Sequence, residues 1–130
     1  MNDYVADTHA LLWYLAVPRL LGANASAAFD EADSGNAFIH IPSIVWAELY
    51  FLNKKQGNIF DFPAAFQTIE KSGQFILTPF DAEDVLEFDR DAAVREMHDR
   101  IIVGVSRRLN APLLTKDENI VKSGLVRIIW

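Results

Sequence analysis

Four carboxylates stand in sequence contexts that suit a shared divalent cation: Asp7, Glu48, Asp99 and Asp117. Asp7 follows the apolar run Tyr4-Val5-Ala6 and precedes THALLWYLA, so it sits between a strand and a helix. In a parallel-sheet protein that junction lies at the carboxyl edge, where active sites open. Asp117 repeats the context, two residues after the apolar Ala111 to Thr115. A helix N-cap explains either residue taken alone. Glu48 is a single acid in the apolar helix SIVWAELYFL, and an ionised Glu there needs solvent or a partner. Asp99 suits the helix dipole in the first turn of MHDRIIVGVSRRL. It also shares a stripe with Ile102, Val103 and Ser106, which turns it towards the interior. Hard carboxylate oxygens together select Mg²⁺ or Mn²⁺ over zinc.

The elements that must position these acids read as one α/β domain over 1–130, with a mainly parallel central sheet of about five strands flanked by helices. Strands are expected at Tyr4 to Ala6, Ala37 to Ile41, Gln74 to Thr78, Ala111 to Thr115 and in the closing VRIIW. Helices are expected at Thr8 to Ala16, Ser26 to Ala32 with Asn24 as cap, and from Ser43, as N-cap, to Gly57. Further helices run from Pro63 to Gly73, from Asp81 to Phe88 and from His98 to Leu109, with a helical turn from Asp117 to Lys122. Asp89 to Glu96 reads as loop or continuing helix.

Composition bounds the function classes. The 130 residues are 51% hydrophobic, enough for one core and too few for two domains. No cysteine is present, so disulfides and thiolate metal sites are excluded and a reducing cytoplasm is the expected setting. No signal peptide is read at the start, and no apolar run nears the roughly 20 residues of a membrane span. The net charge of −6 argues against a general nucleic-acid binder. Removing the four acids from the 18 Asp and Glu leaves 14 against 12 Lys and Arg, so the global sign decides little.

DTHALLW at Asp7, WAEL around Glu48, HDRIIVGVS from His98 and LLTKD ending at Asp117 together resemble the PIN domain. More narrowly, they resemble the VapC-type toxins of bacterial type II toxin–antitoxin pairs, and the resemblance spans nearly the whole chain. It implies a single PIN-like domain and a Mg²⁺- or Mn²⁺-dependent endoribonuclease, in which metal-activated water hydrolyses RNA phosphodiester bonds. It makes Asp7, Glu48, Asp99 and Asp117 the acidic quartet, with the Thr8 and Thr115 hydroxyls orienting carboxylates or metal-bound water. Many relatives carry a DPFD-like stretch where this chain has EMHD, so Glu96 stands in for the extra acid and His98 has an open role. Arg95, Arg100 and Lys116 are the candidate phosphate contacts. A solvated face accounts for Arg107 and Arg108.

The expected partners are a cognate antitoxin, an RNA substrate and a second copy of the chain, with no membrane. Trp13, Tyr14, Trp46, Tyr50, Phe51, Phe60, Phe62 and Phe66 exceed what one small core covers, so part of this surface is expected to pair. Rival readings are a phosphoacceptor receiver module using Asp81, an HD-type phosphohydrolase through His98-Asp99, and a PIN-fold protein without catalysis. The HD reading conflicts with alternating strands and helices. His40, inside a strand, reads as a core or edge histidine.

Overall fold

The computed structural model describes residues 1–130. Five short strands form one sheet in the order β3-β2-β1-β4-β5: β1 (Asn2–Ala6), β2 (Ala37–Pro42), β3 (Phe75–Thr78), β4 (Leu113–Leu114) and β5 (Ile128–Ile129). Every neighbouring pair is parallel, so the expected mainly parallel sheet is wholly parallel. Parallel neighbours need crossovers. These are α1 (Thr8–Ala16) with α2 (Ala23–Asp33), then α3 (Ser43–Lys55) with α4 (Phe62–Lys71), then a 3₁₀ segment (Ala82–Asp91) with α5 (Met97–Leu109), and last α6 (Glu118–Ser123). The chain leaves β1 in one direction through β2 and β3, then returns to its other side with β4. The sheet therefore has its switch point between β1 and β4, where ligands of such folds bind. Receiver-type sheets run in the order 2-1-3-4-5, so this order removes the receiver reading, and the sheet removes the HD reading.

The strands are apolar because both faces are covered. Val5, Ala6, Ile39, Ile41, Leu113 and Leu114 are all fully enclosed. Tyr14 stacks on Phe29 at 4.3 Å between ring centres, and Phe29 lies over Phe75 at 6.4 Å, joining α1, α2 and β3. Trp46 packs edge-on against Phe62 and Phe66, joining α3 to α4. The aromatic excess is thus largely absorbed by packing between neighbouring elements of the chain. Tyr50 and Phe51 remain exposed.

Local differences from the expectations have physical causes. Asn24 does not cap α2. Gly22 precedes the helix, and the amides of Asn24 and Ala25 donate to the Trp130 backbone oxygen at 2.9 and 3.2 Å. A Cβ at Gly22 would lie 2.5 Å from the Trp130 ring, so only glycine permits this approach. Ser43 is not the N-cap of α3 but its first residue, and its hydroxyl donates to the Thr78 carbonyl. The expected helix after Asp81 is a 3₁₀ segment that runs on to Asp91. The strand expected over Ala111 to Thr115 pairs as β4 only at Leu113 and Leu114. Conversely, β1 begins at the polar Asn2, because Asn2 and Asp3 pair with Ala37 and Phe38 whatever their polarity.

Candidate active site

A cleft of about 710 Å³ opens at the switch point. Asp7, Glu48, Asp99 and Asp117 all line it, each delivered by a different element. Asp7 directly follows β1, and its amide donates to the Leu114 carbonyl of β4 at 3.2 Å. Its Oδ1 accepts from the Ala10 amide at 2.8 Å and so caps α1. Asp117 does the same for α6, with Oδ1 accepting from the Ile120 amide at 3.0 Å. The cap and site readings are therefore compatible. A carboxylate has two oxygens, and the Oδ2 of each takes no part in its cap.

Glu48 faces the cleft from the middle of α3. Thr8 donates to its Oε1 at 2.6 Å, and His98 Nδ1 lies 3.3 Å from its Oε2. Glu96 precedes α5 and accepts from the Asp99 amide through Oε2 at 2.7 Å, while its Oε1 lies 3.2 Å from the same His98 nitrogen. His98 thus bridges Glu48 and Glu96. The stripe reading of α5 holds: Ile102, Val103 and Ser106 are buried, and Asp99 stands at the cleft end of that stripe. Thr115 is fully buried, and its Oγ1 accepts from the Asp117 amide at 3.1 Å.

The electrostatics are those of crowded acids. Burial pushes the Asp7 carboxyl up, opposed by hydrogen bonds from Thr115 and the Ala10 amide and by His9, and reinforced by Asp117. Asp99 is pushed up to about 6, first by burial and then by the charges of Asp117, Glu96, Glu48 and Asp7. The ion pairs of the chain include none to Asp7, Asp99 or Asp117. A divalent cation fits this donor set, which is all oxygen and strongly anionic, with His98 beside Glu48 as the one basic side chain paired to it. The fit is one of chemistry rather than of a preformed cage. As arranged, no three His, Asp or Glu side chains come together tightly enough to hold an ion.

The basic candidates separate. Lys116 lines the cleft with its ammonium 4.7 Å from the Trp13 ring centre. Arg100 is turned elsewhere: Nε donates to the Val94 carbonyl at 2.6 Å, and its guanidinium lies 6.0 Å from the Phe88 ring centre. Arg95 is exposed and does not line the cleft. Sequence reasoning passed over His9, Lys55 and Trp130, which do line it. Lys55 had a signal, because it lies seven residues after Glu48 on the same helical stripe. His40, expected at the core or an edge, lies on the interior strand β2, where its largely buried ring is satisfied by Asp3 at 2.9 Å.

No helix is long and apolar enough to cross a membrane. No curated protein sequence matches the chain significantly. Among solved structures, it is similar to a chain of VapBC2 from Rickettsia felis bound to a promoter DNA fragment, with a TM-score of 0.71 and 16% identity over 97% of this chain and 96% of that one. It is similar to a chain of DNA-bound VapBC from Salmonella typhimurium, with a TM-score of 0.71 and 15% identity over 98% and 97%. It is similar to VapC20 of Mycobacterium tuberculosis, described as a sarcin–ricin-loop-cleaving toxin, with a TM-score of 0.66 and 15% identity over 98% and 99%. Identities this low show a shared fold. A sequence model of the PIN domain matches residues 4–124, nearly the whole chain, and the chain belongs to the PIN domain family.

Proposed function

We propose that the chain is a Mg²⁺- or Mn²⁺-dependent endoribonuclease and the toxin of a type II toxin–antitoxin pair. The observation that carries the reading is the convergence of four carboxylates from four elements on one switch-point cleft, with Asp99 pushed up to about 6 in part by the other three. The relatives add support, since one is described as a toxin that cleaves the sarcin–ricin loop. Asp7, Glu48, Asp99 and Asp117 would hold the cation. Bound there, it supplies Lewis-acid polarisation of the phosphoryl group and lowers the pKa of water.

The chain's own residues do the rest. Thr8 fixes the Glu48 carboxylate through its 2.6 Å hydrogen bond. Thr115 accepts from the Asp117 amide and so ties the Asp117 backbone to the end of β4, and its hydroxyl also helps to hold the buried Asp7 carboxyl down. Lys116 reaches a phosphate at the rim. His98 is held between Glu48 and Glu96, so it restrains Glu48 rather than acting as base. Hydrolysis at such a centre leaves 5′-phosphate and 3′-hydroxyl ends.

An antitoxin partner and a dimer follow from the toxin assignment, and the VapBC structures support the first. Leu86 is 83% exposed and Val85 stands beside it, leaving apolar surface outside the cleft for such contacts. The proposed setting is the cytoplasm. The test is purified protein with a structured RNA pool under Mg²⁺, Mn²⁺ or EDTA, followed by end mapping. Cleavage with either cation and 5′-phosphate products is expected. Cleavage that persists in EDTA, or 2′,3′-cyclic ends, contradicts the reading.

A further inference from the structure

The face of α3 that carries Glu48 into the cleft does not stop there. Phe51, Leu52 and Lys55 follow at three, four and seven residues, on the same stripe, and all three line the same cleft. Phe51 is 69% exposed, an unusual state for a phenylalanine in a concave site. Tyr50 meets it edge to face at 5.2 Å and 87°, an arrangement that leaves ring surface free. The other cleft aromatics differ. Trp13 is already engaged by Lys116, by His9 at 5.6 Å and by Trp130 at 5.6 Å. Lys55 is exposed and pairs with no carboxylate.

Resting on the ribonuclease reading, we propose that Phe51 and Lys55 form a nucleotide subsite beside the acids, with Phe51 stacking one unpaired base and Lys55 binding the adjoining phosphate. A free aromatic face beside a free cation is the pairing that holds single strands without reading sequence. A base in a duplex has its faces covered, so this subsite selects looped or single-stranded RNA. Charge favours nucleic acid over an apolar protein segment as occupant. In a chain of net charge −6, Lys55 follows directly on Lys54, which itself lies 5.6 Å from the Tyr50 ring centre.

The experiment uses the full chain carrying Asp99→Asn, so that RNA is bound without being cut. The probe is a single-stranded oligoribonucleotide with one 2-aminopurine, compared with the same strand annealed to its complement. Phe51→Ala is expected to weaken single-strand binding by roughly fivefold to a hundredfold, the range of one base stack, and to abolish the 2-aminopurine quenching. Phe51→Tyr restores both, and duplex binding does not change. Lys55→Ala is expected to lower the salt slope of binding by about 0.7, one phosphate on a single strand. Unchanged affinity and quenching in Phe51→Ala overturns the subsite while leaving the ribonuclease reading intact. A Phe51→Ala effect on oligomer mass but not on RNA assigns the ring to a protein contact and also overturns it. If the Asp99→Asn chain binds no RNA and the parent cuts none, both readings fall together.

Discussion

Replacing Asp99 by asparagine should make the metal-free protein more stable near neutral pH, although it removes a native side chain. Asp99 accepts no hydrogen bond in the fold, and it faces Asp117, Glu96, Glu48 and Asp7. Its carboxyl is pushed up to about 6, roughly two units above the usual range, first by burial and then by those charges. At 1.36 kcal/mol per unit the strain of ionising it has an upper bound of about 3 kcal/mol. The group is only half-buried, so solvent screening brings this nearer about 1.5 kcal/mol. Losing a favourable charge at the start of α5 takes back about 0.5 kcal/mol. The net gain is about 1 kcal/mol, or roughly 3–5 °C in Tm for a chain of this size.

The pH dependence carries the sign. The folded pKa lies above the unfolded one, so the native state binds more protons between about pH 4 and 6. Stability from this group is therefore lost as pH rises through that window. Urea unfolding followed by tryptophan fluorescence in EDTA, across the same window and above it, reads the effect. The two proteins should converge near pH 4 and separate above pH 6, with the variant the more stable. A variant less stable at neutral pH, or a gap that widens towards acid, refutes the electrostatic account of the cleft.

Three other outcomes follow from the same structure. Mg²⁺ or Mn²⁺ binding should release protons and tighten as pH rises from about 5 to 7, because the cation must displace the proton that Asp99 holds; calorimetry in two buffers of different ionisation heat measures both, and pH-independent binding counts against it. Asp91 is 2% exposed and pairs with Arg107, so Asp91→Ala should cost about 3 kcal/mol, the low end for a broken buried pair because Arg107 reaches solvent; a shift in urea midpoint below 1 kcal/mol rejects this. Gly22→Ala should cost about 1–3 kcal/mol through its clash with Trp130, seen as a lower Tm, and an unchanged Tm means the chain end is free to move away.

Much of this site could be read before the fold was in hand, and the reason is local. A carboxylate after an apolar strand and before a helix lies at the carboxyl edge of a parallel sheet, which gives the place of Asp7 and Asp117 in the fold. Periodicity places Asp99 with Ile102 and Val103, and the same helical spacing from Glu48 reaches Lys55. What could not be read depends on contacts distant in the chain. Arg100 shares a helix with Asp99 but is held by Val94 and Phe88. Asp91 sits in a charged run that looks solvated, yet Arg107 from the following helix encloses it. The start of α2 is satisfied by Trp130 rather than by Asn24, and no local pattern signals a partner more than 100 residues away.

The most direct test compares cleavage of one RNA by the parent with Asp7→Asn, Glu48→Gln, Asp99→Asn and Asp117→Asn in parallel Mn²⁺ titrations. If the four acids are one hydrolytic centre, each variant loses most of the rate, added Mn²⁺ restores little of it, and all four stay folded. Cleavage at the parental rate by any of the four contradicts the assignment of that centre.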